Sequence, residues 1–198
     1  GYKSEDERVE RAYNIVETNS KKYNILLPQI GFYWPASWSY TVGFIAARSR
    51  VKETMWFLSD LIFELGAFRK CKVILQGHSL GCQVILDTVY NLAYQTNSNI
   101  VENVVISAPA LPYDYFENKD IPANKYNGLY NIFWSENDPV LKMGYRLAPG
   151  NWSTPAMGNA GPKVIYPNIY GYDMSKSVTS HSGYRDREEL YIAMARSL

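Results

Sequence analysis

The chain has 198 residues, 46% apolar and 20% charged, a length and composition that suit one domain over residues 1–198 with room for a sizeable core. A net charge of +1 with no long basic run leaves no electrostatic footprint for nucleic acid, and no run of 18 apolar residues reads as a transmembrane segment. Two cysteines and two histidines, without Cys-x-x-Cys or His-Glu-x-x-His, argue against a disulfide framework and a structural zinc site.

Cys71 and Cys82 are therefore expected as reduced core thiols. The polar, acidic start from Gly1 to Glu7 lacks the pattern of a secretory signal, which favours a cytoplasmic location, although a removed signal would leave no trace. The composition says nothing about oligomeric state.

In chain order, Ser4-Glu5-Asp6-Glu7 reads as a capping box, and Val9, Ala12, Tyr13 and Val16 recur at helical spacing to about Asn19. In an α/β alternation a strand should precede that helix, so Gly1-Tyr2-Lys3 reads as the turn after a strand missing from this chain. Gln29–Trp34, bounded by Pro28 and Pro35, is predicted as a strand. An aromatic loop leads to a long helix over Thr41–Phe68, with Met55, Leu58, Ile62 and Leu65 as its stripe and Trp56 and Phe57 widening it.

Lys72–Gln76 is the next predicted strand, Leu80 to about Tyr94 a helix, and Val101–Ser107 a strand stopped by Ala108-Pro109. Leu111–Asn127 reads as a loop or short lid, Leu129–Trp134 as a strand, and Gly150–Pro162 as a loop. A last strand is expected at Lys163–Tyr166, with Tyr170 as its furthest end, then a polar connection to Ser182 and a helix over Arg185–Arg196. Nearly all-apolar strands alternating with helices imply an α/β fold: a mainly parallel sheet with helices on both faces.

The chemistry concentrates at Gly77-His78-Ser79-Leu80-Gly81, a Gly-x-Ser-x-Gly turn between a strand and a helix. Such a turn holds its serine in strained backbone geometry and is expected to leave no room for side chains at Gly77 and Gly81. A serine hydroxyl needs a base within hydrogen-bond reach. His78 sits inside the turn and should point away from the Ser79 hydroxyl, which leaves His181, in a loop after the last strand.

The orienting carboxylate should sit at another strand's carboxyl end. Asp138 fits the order Ser, Asp, His; Asp114 and Glu136 are the alternatives. One oxyanion donor is expected from the Leu80 backbone N–H and the second from Tyr2 or Lys3. Tyr2, Trp34, Trp38 and Tyr40 are the aromatic candidates for substrate contact.

These residues resemble the α/β-hydrolase superfamily, and more closely a family of bacterial α/β hydrolases of unassigned function. The resemblance rests on Gly1-Tyr2, Phe32-Tyr33-Trp34-Pro35-Ala36, the Gly-His-Ser-Leu-Gly elbow, Ala108-Pro109, Ser135-Glu136-Asn137-Asp138 and Met157-Gly158-Asn159-Ala160-Gly161. It implies a minimal-lid hydrolase fold and a serine acyl hydrolase with Ser79, Asp138 and His181 as triad, without metal or organic cofactor. The expected partner is a small or lipid-like ester. The alternatives are a lipase, thioesterase or peptidase-like acyl hydrolase, or an inactive binding module on the same fold.

Overall fold

The structure is a computed structural model and describes residues 5–34, 40–95, 100–118, 128–148, 151, 153–164 and 166–196. Helices α1 (Glu5–Lys22) and α2 (Tyr40–Ala67) lead into β1 (Val73–His78), α3 (Gly81–Gln95) and β2 (Val101–Ser107). Then come α4 (Tyr115–Asn118), β3 (Leu129–Trp134), a π-helical segment (Val140–Tyr145), α5 (Met157–Ala160), β4 (Ile169–Asp173) and α6 (Glu188–Ala195).

The four strands pair in the order β1-β2-β3-β4, all parallel. Successive side chains of a strand point to opposite faces. Asn103 of β2 donates to the Ala193 carbonyl of α6 at 2.8 Å, so its face meets α6. On the other face Phe116 packs edge-on against Tyr130, and the Tyr115 hydroxyl donates to Asp87 of α3 at 2.7 Å. Helices α2 and α3 thus cover one face and α1 and α6 the other, the α/β arrangement expected.

Val104, Val105, Ile106, Ile132 and Phe133 are fully buried because β2 and β3 lie between paired neighbours and two helical layers. On the α6 face, Asn131 donates to Asn103 at 2.8 Å, which pairs two amides in a region where an unpaired one would be costly.

Several expectations are corrected. Gln29–Trp34 has no regular structure: it runs along α1, where the Tyr13 hydroxyl donates to the Gln29 carbonyl at 3.2 Å, and no described strand offers it a ladder. The last strand starts at Ile169 instead of Lys163, because Pro167 has no N–H to give and pairing opens with Tyr130 N–H to Asn168 O at 2.9 Å. The expected loop at Gly150–Pro162 contains α5, and the Leu111–Asn127 segment contains α4, with residues 119–127 outside the described ones.

On α2, Met55, Leu58 and Ile62 are buried as predicted, but Trp56 and Phe57 are exposed. Cys82 is buried, whereas Cys71 is exposed, because it lies past the end of α2 before the sheet begins. The turn at residues 1–3 and the cap at Ser4 fall outside the described residues.

Candidate active site

The site is built where three parallel strands end. After His78, the Ser79 N–H still donates to Ser107 O at 3.0 Å, continuing the ladder, while its φ of 56° turns the chain sharply into α3. That left-handed conformation is uncommon for a non-glycine residue and marks stored strain. Gly77 is required there: a Cβ would lie 2.6 Å from Ile85 Cδ1 of the following helix. Gly81 is not under the same constraint, since a Cβ on it would meet nothing within 4 Å; the helix starts there with its first turn facing open space.

Asp138 follows β3 in the turn Ser135-Glu136-Asn137-Asp138 and is completely buried. Its Oδ1 accepts the N–H groups of Val140 at 3.0 Å and Leu141 at 3.1 Å, so the carboxylate caps the π-helical segment and its plane is fixed. The other oxygen, Oδ2, lies 2.7 Å from His181 Nδ1. His181 Nε2 lies 2.9 Å from Ser79 Oγ.

A nitrogen facing a carboxylate at that distance donates, which leaves the Nε2 lone pair to accept the Ser79 hydroxyl proton. His181 is 8% exposed and Asp138 0%, so water has little access to the pair. Of the remaining sequence candidates, Glu136 is exposed and its N–H bonds to Ser175 Oγ at 3.0 Å. Asp114 begins the turn into α4, accepting the N–H groups of Glu117 and Asn118 through its main-chain carbonyl, and makes no bond to His181. Its Oδ1 is buried without a partner among the described residues.

Leu80 is buried, and its N–H, at the head of α3, donates to no described residue, as an oxyanion donor would require. Tyr2 and Trp38 lie outside the described residues, Tyr40 is the first residue of α2, and Trp34 is half-buried against the core. Among the described residues no cluster of three or more His, Cys, Asp or Glu could hold a metal ion.

Residues 36–194 match the family model described as "Protein of unknown function (DUF726)". The chain belongs to this family. It is also 29% identical over 117 residues to an uncharacterized membrane protein of Schizosaccharomyces pombe, a match covering 57% of this chain and 19% of that relative. No solved structure matches. No helix among the described residues is long and apolar enough to cross a membrane.

In this member of the family the segments carrying Asp138 and His181 are stitched together by residues that sequence reasoning did not single out. The Ser135 hydroxyl donates to Val178 O at 2.6 Å and accepts the Asn137 N–H at 3.1 Å. Asn137 Nδ2 donates to Ser175 O at 2.9 Å, and Asn159 Nδ2 reaches both Ser135 O (3.1 Å) and Glu136 O (3.0 Å). Each such bond contributes about 1 kcal/mol, and together they hold the two loops in one register. The signal for them was present in the Ser-x-x-Asp turn and the Gly-Asn-Ala-Gly stretch, but short polar residues in loops read as ordinary turn formers.

Gly158 is fitted against the end of β2: a Cβ there would lie 2.4 Å from Ala108 C and 2.5 Å from Pro109 N. That contact seats α5, and hence Asn159, beside the Ser135–Asp138 turn. His78, also missed as a contributor, places its Nε2 2.6 Å from the His181 carbonyl oxygen. Burial, with His181 nearby, pushes its pKa from 6.5 down to about 3.

Proposed function

We propose that this domain is a serine hydrolase that cleaves carboxylic esters through an acyl-Ser79 intermediate. The observation that carries the reading is the unbroken line from Asp138 Oδ2 to His181 Nδ1 and from His181 Nε2 to Ser79 Oγ, at 2.7 and 2.9 Å. The strained strand-to-helix turn, the order Ser, Asp, His and the parallel sheet support a place in the α/β-hydrolase superfamily.

In this mechanism His181 Nε2 takes the Ser79 proton as Oγ bonds to the ester carbonyl carbon. Asp138 stabilises the imidazolium, and the Leu80 N–H stabilises the oxyanion. Collapse breaks the ester C–O bond, and the leaving alcohol takes the proton from His181. A water then gives its proton to His181 and attacks the acyl carbon, releasing the carboxylic acid and returning the proton to Ser79.

The test is labelling by a fluorophosphonate probe: wild type should react and Ser79→Ala should not. A labelled Ser79→Ala protein defeats the assignment, and a folded wild type inert to the probe favours a binding module. Rates across nitrophenyl esters of increasing chain length should rise with length if the acyl site is apolar.

A further inference from the structure

We propose that His78 is a positioning residue for His181: a neutral imidazole that ties the main chain of the base to the strand end carrying the nucleophile. The inference rests on the hydrolase reading for its kinetic consequence, but the tie itself is a matter of geometry. His78 Nε2 lies 2.6 Å from the His181 carbonyl oxygen. A carbonyl can only accept, so Nε2 carries the proton and the ring is fixed as one tautomer.

The two imidazoles lie 4.7 Å apart between centroids and 59° between planes, and the buried ring of Tyr184 backs His78 from 6.3 Å. His181 is thus held at three points. Its Nδ1 is fixed by Asp138, its Nε2 meets Ser79, and its carbonyl is gripped by the residue directly before Ser79.

The loop around the base has other bonds, Gly183 N–H to Ser180 O at 3.1 Å, Arg187 Nε–H to Gly183 O at 3.3 Å and the Ser135 hydroxyl to Val178 O at 2.6 Å, but none of these ties it to β1. Cross-linking that loop to the end of β1 makes the distance from Ser79 to the base a property of one rigid strand end. Displacements of about 1 Å at such a distance can cost about 100-fold in rate. The donor must also be uncharged, because His181 becomes a cation in each half-reaction and a second cation 4.7 Å away would oppose it. A lysine or arginine at position 78 would donate but repel; a histidine kept neutral by burial donates without that cost.

Glutamine carries its amide nitrogen near the place of imidazole Nε2, whereas asparagine, one methylene shorter, reaches only as far as Nδ1. His78→Gln should therefore keep kcat and probe-labelling rate within about threefold of wild type, while His78→Asn and His78→Leu should lose about 10- to 100-fold in kcat with KM within about twofold. The reading independent of turnover is proton NMR of the downfield His181 Nδ1–H resonance, assigned by its loss in His181→Ala. It should persist in wild type and His78→Gln and weaken or vanish in His78→Asn and His78→Leu.

Full kcat and an unchanged downfield proton in the asparagine and leucine variants would overturn the proposal. So would a glutamine variant as impaired as the leucine one, since ring volume and not the donated proton would then matter. Should the leucine variant fail to fold, the glutamine and asparagine pair, with identical functional groups, decides the question. A wild type inert to the probe but showing the expected proton pattern would defeat the hydrolase reading and leave the tie standing.

Discussion

The carboxyl edge of the sheet and the flank outside β1, residues 25–34 with the outer side and end of α2, put apolar sequence to opposite ends. At the edge, Asp138, Ser135, Val178 and Tyr184 are all buried, and the segments that follow β1, β3 and β4 are bonded to one another. Along the flank Leu26 is 75% exposed, Phe68 74%, Ile30 66% and Phe57 64%, and β1 has no strand beyond it among the described residues. Hydrophobic periodicity creates a demand for burial, and only a facing layer meets it. The edge is consequently where geometry is precise, and the flank is where substitutions should matter least to this fold and most to association.

The sharpest way to break this contrast is Ser79→Ala, which should abolish probe labelling and lower ester turnover by about 10⁴-fold or more. Next is a matched pair of amides. Asp138→Asn should cost about 10³- to 10⁴-fold in kcat, because the amide favours the wrong imidazole tautomer, whereas Asp114→Asn should change kcat by less than about threefold. The reverse ranking would mean that the turn after β3 is not the acid loop.

Gly158→Ala tests whether the edge is as tightly fitted as described: with backbone of Ala108 and Pro109 within 2.5 Å of the added carbon, unfolding free energy from urea titration should fall by about 3 kcal/mol. The half-buried His78 sets a pH dependence. Its pKa is lowered from 6.5 to about 3, so between those values the unfolded state binds the extra proton; stability should fall as pH drops below about 6.5 and go on falling towards 3. That slope should flatten in His78→Gln when urea midpoints are compared across pH. The smallest effect belongs to the flank, where Leu26→Ser or Phe68→Ser should shift stability measured by urea titration by less than about 0.5 kcal/mol.

Much of the site could be read without a structure because its parts are local. The elbow is five consecutive residues, and with two histidines in the chain, one of them inside the turn, the base was left to His181. Choosing Asp138 over Asp114 and Glu136 was a ranking, since all three follow strands at similar distances; which of them meets His181 Nδ1 depends on how β3 and β4 pair. The strand expected at Gln29–Trp34 shows the opposite case. Its pattern is extended and apolar, yet a strand exists only where a neighbour accepts its hydrogen bonds.

What the sequence determined by itself was the alternation of strands and helices, the display of a serine at a strand-to-helix turn, and the supply of one base and a short list of acids. These follow from near-neighbour chemistry: side-chain periods of 2 and 3.6, the backbone demands of glycine and proline, and the scarcity of histidine. Only the tertiary structure decided that Asp138 caps the π-helical segment with one oxygen while meeting His181 with the other, that Asn159 and Ser135 bind the loops together, and that His78 Nε2 meets the His181 carbonyl oxygen. Those contacts join residues far apart in the chain, and their distances are set by how parallel strands stack and end together, which no local pattern encodes.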